Sequence, residues 1–220
     1  MIKQVFRFSF TDAFIHTLEM WRRSWAPLLA LTCFFEGFGW LSLRLLAENQ
    51  ISQQIFQALW SLAVESVFLL IIPKLYKDWL EGKPPQPVWP HVKKHVEPFT
   101  IESLRVLGRV SIGFLLLIVP GLIRAIQYYF VGYIIQFDPR YERGEVDALE
   151  ASKALVQGRF FLVLGVLIWI LALSLLGQLR DLTSLSEIAT SAAFVLMLFL
   201  RVYMQIVLYY FYSLLQKTRP

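Results

Sequence analysis

Three ionisable side chains sit at similar depth in otherwise apolar segments: Glu36, Glu65 and Arg201. A charge at bilayer centre costs about 2.5–3.5 kcal/mol on insertion scales, so such groups face inward and pair. Gln57, Ser61 and Glu65 recur every four residues, as do Glu36, Trp40 and Arg44, and Gln205 lies one turn from Arg201. That spacing puts each set on one helix face. Glu36, Glu65, Arg201, Gln205 and Arg44 therefore read as an intramembrane polar seam. Two chemistries fit it. An Arg–Glu bridge with a second, protonated Glu would fix helix packing. Alternatively, the seam passes protons or grips an anionic headgroup. Two acids and one base cannot form two simple pairs, and the leftover acid is the argument for function.

His91 and His95 stand one helical turn apart with Glu97 nearby, a spacing that raises the question of metal. The intervening Val92, Lys93 and Lys94 leave no H-E-x-x-H motif, and two cations beside the imidazoles disfavour a divalent ion. A basic patch reading anionic lipid suits these residues better. Cys33 is the only cysteine, so neither an intrachain disulfide nor a thiolate cage can form. No Gly-Lys phosphate loop, G-x-S-x-G elbow or pair of Asp-rich motifs is present. The expectation is a chain with no catalytic residues, no cofactor and no metal.

The elements that must position these residues are apolar helices. Of 220 residues, 57% are hydrophobic, with 18 Phe, 9 Tyr and 7 Trp, and only 17% are charged. That exceeds what one soluble core hides. A transmembrane helix needs roughly 20 apolar residues, and six segments approach this: about 25–46, 54–75, 103–119, 122–137, 160–178 and 189–214. The fold class expected is all-α, a polytopic transmembrane bundle of about six spans with amphipathic interfacial helices. Residues 1–220 form a single integral membrane domain: an interfacial arm (1–24), four spans with a basic loop (25–137), and an interfacial helix with two more spans (138–220). Residues 1–24 carry too many charges for a signal peptide. The fifth segment has almost no polar side chain and reads as lipid-facing.

Orientation follows from Lys and Arg. They crowd the N-terminal arm, the loop after the second segment, the loop after the fourth and the tail, whereas the opposite connections hold only Arg124 and Arg180. Basic loops stay cytoplasmic, so both termini are placed inside. The net charge of +5 belongs to this bias and to anionic lipid rather than to nucleic acid. Six crossings keep every basic cluster on one side, which requires a turn within 103–137. Pro120 and Gly121 are the residues expected to make it. The run Tyr203, Tyr209, Tyr210, Phe211 and Tyr212 reads as an anchoring belt.

Two helices are expected to lie flat on the inner surface. One places Phe10, Phe14, Leu18 and Trp21 on an apolar stripe; the other, Glu145 to Gly158, sets Val146, Leu149 and Val156 against Asp147, Glu150, Lys153 and Gln157. Asp12-Ala13-Phe14 and Asp147-Ala148-Leu149 precede aromatic Trp25 and Phe160 at the same offset, a weak sign of repeated units. The stretch Lys83-Pro84-Pro85-Gln86-Pro87, with Pro90, reads as a stiff extended loop.

LLLIVPGLIRAIQYYF (115–130), followed by DALEASKALVQGRFFLVLGVL (147–167), resembles a bacterial membrane-domain family. Members stand alone, with unknown function, or are fused ahead of some glycerophosphodiester phosphodiesterases. The matching positions are Pro120, Gly121 and Arg124, then Ala148, Leu149 and Ser152. The resemblance implies the fold, a bacterial cytoplasmic (inner) membrane location and a link to envelope or lipid physiology. It does not carry over phosphodiesterase activity, since no hydrolase segment accompanies it here. The function expected is that of a non-enzymatic inner-membrane protein, either lipid-binding or an accessory, organising subunit of an envelope complex. Its rival is a small transporter or channel subunit using the Glu/Arg seam. The partners implied are membrane lipids with anionic headgroups, and a second copy or another membrane protein.

Overall fold

In the computed structural model the described residues are 14–19, 22, 34, 38, 42, 50–83, 87–178 and 187–217. Among them there is no strand. The expected first span, with Glu36, Arg44 and Cys33, lies outside the described residues apart from single positions. Beyond a short helical piece at 14–19, the order is α1 (Gln50–Leu80), α2 (Trp89–Leu116), α3 (Ile118–Gln127), α4 (Val131–Phe137), α5 (Pro139–Glu142), α6 (Ala148–Val156), α7 (Phe160–Gln178) and α8 (Glu187–Lys217). By length and composition, two described helical stretches can cross a membrane, Ser52–Leu80 and Ile118–Phe137. A third is added if Ala148–Val156 and Phe160–Ala172, bent by 98°, count as one broken span.

The core gathers the second half of α1 (Phe68, Ile72, Tyr76), the first half of α2 (Val92, Phe99), all of α4, the apolar side of α6, and α8 from Val202 to Leu215. Of the aromatic residues expected to form a membrane belt, Tyr209, Phe211 and Tyr212 are found inside it, while Tyr210 is half-buried. Tyr209 meets Tyr76 edge-on at 5.8 Å and Phe137 at 4.9 Å, while Tyr212 stacks on Tyr133 at 5.6 Å. Recurrence at three and four residues along α8 gives these rings a helix partner to pack on, and that packing displaces the lipid contact.

α1 runs through Pro73. Proline has no N–H, so the carbonyl four residues back loses its helical donor. That carbonyl belongs to Leu69, and Gln136 Nε2 from α4 donates to it at 3.2 Å. The same amide nitrogen donates to the Gly132 carbonyl at 2.9 Å. A buried glutamine thus completes the hydrogen bonding of another helix.

The turn in the 103–137 stretch is not made by Pro120 and Gly121. α2 ends at Leu116, Leu117 is extended (φ −166°, ψ 151°), and α3 starts at once. Pro120 occupies the first turn of α3, where N–H groups have no helical acceptor and a proline costs nothing. Gly121 serves close approach instead: a Cβ on Gly113 would lie 2.8 Å from the Gly121 Cα. α2 and α3 are therefore a tight antiparallel hairpin. α2 also begins 14 residues before the expected span at 103, with Pro90 in its first turn, so that the region around His91 is helix rather than loop.

α6 starts on Asp147, whose side chain accepts from the Leu149 and Glu150 backbone N–H groups, the arrangement that satisfies orphan donors at a helix start. Ala148, Leu149, Ala151, Ser152, Leu155 and Val156 are buried. The apolar face expected to rest on lipid is covered by protein. Gly158, at φ 77°, adopts the left-handed conformation that lets the chain turn sharply from α6 into α7. α7 keeps Phe161, Ile168 and Leu171 exposed. In the N-terminal piece, Phe14 and Leu18 are also exposed, while His16 Nδ1 lies 2.9 Å from the Tyr76 hydroxyl.

Candidate functional site

α1 and α8 bring Glu65 and Arg201 together: Arg201 Nη2 lies 3.0 Å from Glu65 Oε1. The Arg201 guanidinium also sits 5.1 Å from the Phe68 ring centroid, so charge and ring face both hold it. Half of the Glu65 side chain is exposed. One turn on from Arg201, Gln205 Oε1 accepts from the Tyr133 hydroxyl at 2.9 Å. Gln57 and Ser61, on the same face of α1 as Glu65, are exposed. Glu36 and Arg44 lie outside the described residues, so the described part of the expected seam is Glu65, Arg201 and Gln205.

A second charged constellation forms where α2, α3 and α6 meet. Arg105 Nη1 donates to both oxygens of Glu102 at 2.8 Å, and its Nη2 donates to Asp147 Oδ2 at 2.7 Å. Glu102 is buried. Burial pushes the Asp147 carboxyl up, but Arg105 and the two backbone N–H donors outweigh it and hold the group below the usual carboxylate range. One turn further along α2, Arg109 lies 3.7 Å from Glu150 and donates to the Tyr128 hydroxyl at 3.4 Å. Arg124 Nη1 donates to the Arg109 carbonyl at 2.9 Å. In the sequence, Arg105 and Arg109 register only as part of the basic charge that follows the second apolar segment. The available signal was complementary spacing: Glu102, Arg105 and Arg109 on one helix face, Asp147 and Glu150 on another.

Beside this network an open cleft of about 760 Å³ is lined by Lys94, His95, Glu102, Tyr141, Glu142 and Asp147 among others. Lys94 Nζ donates to Glu142 Oε1 at 2.6 Å; this bond, chiefly, holds the Glu142 carboxyl below its usual range. His95 is buried and its Nδ1 donates to the His91 carbonyl at 2.8 Å. Its Nε2 has no hydrogen-bond partner among the described residues and lies 3.9 Å from Glu142 Oε1. Burial pushes the His91 imidazole down to about 4, against the opposing effect of its contact with Gln136. His95 is buried and His91 half-buried, so both turn into the fold, while Lys93, Lys94, Val96 and Glu97 are the exposed members of the His91–Glu97 segment. No group of three or more His, Cys, Asp or Glu among the described residues gathers in metal-holding geometry.

The residues of the resemblance converge at one place. Gly121 packs on Gly113, Arg124 ties α3 to α2, Ala148 and Leu149 are fully buried, and Ser152 Oγ donates to the Gln127 carbonyl at 2.7 Å. Gly121 and Arg124 hold the two arms of the hairpin together, and Ser152 fastens the hairpin to α6. No family model matches this chain, nor does any curated protein or solved structure.

Proposed function

We propose that the protein is a non-enzymatic integral protein of a bacterial inner membrane that binds anionic phospholipid and assists or organises other envelope components. The observation that carries this reading is the ring of arginines at the hairpin base, Arg105, Arg109 and Arg124, from which exposed apolar helix surface extends. Guanidinium groups beside apolar surface suit the phosphate–acyl boundary of a lipid layer. On this reading both termini are cytoplasmic. A hairpin returns the chain to the side it left, so sidedness is the same whether its arms cross or turn back inside, and six crossings is the upper count. Native mass spectrometry from lipid nanodiscs tests the reading. Phosphatidylglycerol or cardiolipin adducts should remain bound and should be lost in Arg105→Gln/Arg109→Gln/Arg124→Gln. Release of protein free of lipid under conditions that preserve its fold would overturn it.

The exposed half of Glu65 beside Arg201 favours a second reading, a small transporter or channel subunit. Proton flux into proteoliposomes that disappears in Glu65→Gln would select it over the first.

A further inference from the structure

The tip of the α2–α3 hairpin carries an unbroken run of exposed apolar residues, Phe114 to Val119. Leu115 is 85% exposed and Ile118 75%, with Leu116, Leu117 and Val119 close behind. From Val110 to Ile123 there is no ionisable side chain. The arms on either side of Leu117, residues 110–116 and 118–123, rise about 10 Å each at roughly 1.5 Å per residue. A hydrocarbon core is about 30 Å thick, so these arms reach into one leaflet and not through two.

The base sets the limit. Arg124 is bonded to the Arg109 carbonyl, Arg109 lies beside Glu150, and Arg105 bridges Glu102 and Asp147. Driving the arms across would carry several of these charges into hydrocarbon at about 2.5–3.5 kcal/mol each, and a guanidinium cannot shed its proton to escape. The apolar stretch that follows, α4, does not supply the missing length. Val131, Gly132, Tyr133, Ile134, Ile135 and Gln136 are buried in protein. Its hydropathy serves packing against α1, α2 and α6.

The turn closes part of its own backbone, as groups at membrane depth require. The Leu117 N–H donates to the Gly113 carbonyl at 3.0 Å, its carbonyl accepts from Gly121 at 3.3 Å, and Pro120 removes one donor altogether. The Ile118 and Val119 N–H groups of the first turn of α3 have no side-chain cap.

We propose that the α2–α3 hairpin is a re-entrant anchor: its tip, centred on Leu117, enters the cytoplasmic leaflet of a phospholipid bilayer to about its middle and returns, with Arg105, Arg109 and Arg124 at the phosphates. This rests on the reading of the chain as an integral membrane protein and replaces two of its crossings by one dip, with the side assignments unchanged.

The test uses the full chain with Cys33→Ser, carrying Leu117→Cys or, as a second site, Leu115→Cys. Both side chains are exposed, so neither variant disturbs packing. Membrane-impermeant maleimide is applied to spheroplasts and to inverted vesicles, and Ile168→Cys on α7 serves as the membrane control. Labelling at Leu117→Cys and Leu115→Cys should be lost from both faces and restored by detergent. Labelling from the outer face would mean that the arms cross, and labelling from inverted vesicles would mean that the tip lies in water; either overturns the anchor. Shielding that persists in detergent together with a Leu117–Leu117 cross-link would assign the surface to a second copy and also overturn it. Ile168→Cys labelled in intact vesicles would instead bring down the membrane reading itself.

Discussion

Pro73 and Gln136 show how one side chain settles the geometry of two helices. The proline deprives the Leu69 carbonyl of its donor, and the glutamine replaces it from 67 residues away. A buried acceptor left without a partner costs about 1–3 kcal/mol. Gln136→Leu keeps the volume and removes the donor, so it should destabilise the folded protein by about that amount in a detergent melt. Gln136→Glu offers no reliable rescue, because a carboxylate only accepts. An unchanged melting temperature in Gln136→Leu would show that water or a shifted backbone already serves the Leu69 carbonyl. None of this was legible in the sequence. Periodicity places Gln136 on an apolar helix but says nothing of which carbonyl waits for it. The approach of Glu65 to Arg201 could be anticipated, because depth and four-residue recurrence act within single helices and a charge in an apolar segment must find its opposite.

At the scale of elements, the hairpin depends on two glycines facing each other. A Cβ at Gly113 would meet the Gly121 backbone at 2.8 Å, whereas one at Gly108 meets nothing within 4 Å. Gly113→Ala should therefore separate the arms and destabilise by about 1–3 kcal/mol. Gly108→Ala, on the same helix, should stabilise by roughly 0.5–1 kcal/mol through helix propensity alone. Equal melting shifts for the two variants would remove the close-approach argument. Helix bounds were legible where composition is uniform: α7 occupies Phe160–Gln178, the same range as the expected fifth segment. They were not legible for α2. Its first half mixes Pro90, His91, Lys93, Lys94 and Pro98, residues that suggest a loop locally, and only the inward recurrence of Val92, His95, Phe99 and Glu102 marks it as a helix face. The position of the turn misled for a related reason. A Pro-Gly pair signals a turn, but the first turn of a helix tolerates proline equally well, and the break fell at Leu117.

At the scale of the whole molecule, the basic residues set the sidedness of the proposed membrane protein. Lys and Arg collect before α1, at the end of α1 and along α2, around α5 and α6, and at the end of α8. With the cytoplasm on that side, alkaline phosphatase fused after Arg143 or Lys217 should be inactive, and active when fused after Gln53 or Leu182. An active fusion after Arg143 would require an odd number of crossings before it and would invert the last two helices. The aromatic residues behave differently at this scale from what composition suggests. Tyrosines near a helix end suggest an interfacial belt, yet Tyr203, Tyr209 and Tyr212 are buried. Sequence alone cannot distinguish a ring that meets lipid headgroups from one that meets Tyr76 or Tyr133, since both leave the same periodic trace.

The bond from Gln136 to Leu69 also has a schedule. Chains emerge from the ribosome at about 5–20 residues per second, and the acceptor precedes its donor by 67 residues. For roughly 3–13 s of each synthesis, α1 exists with an open carbonyl beside Pro73 and no partner yet made. During that interval the Leu69 carbonyl is left to water or to another hydrogen-bond donor. The Leu69 carbonyl therefore gains its native donor only after the hairpin has been made and α4 has followed it out.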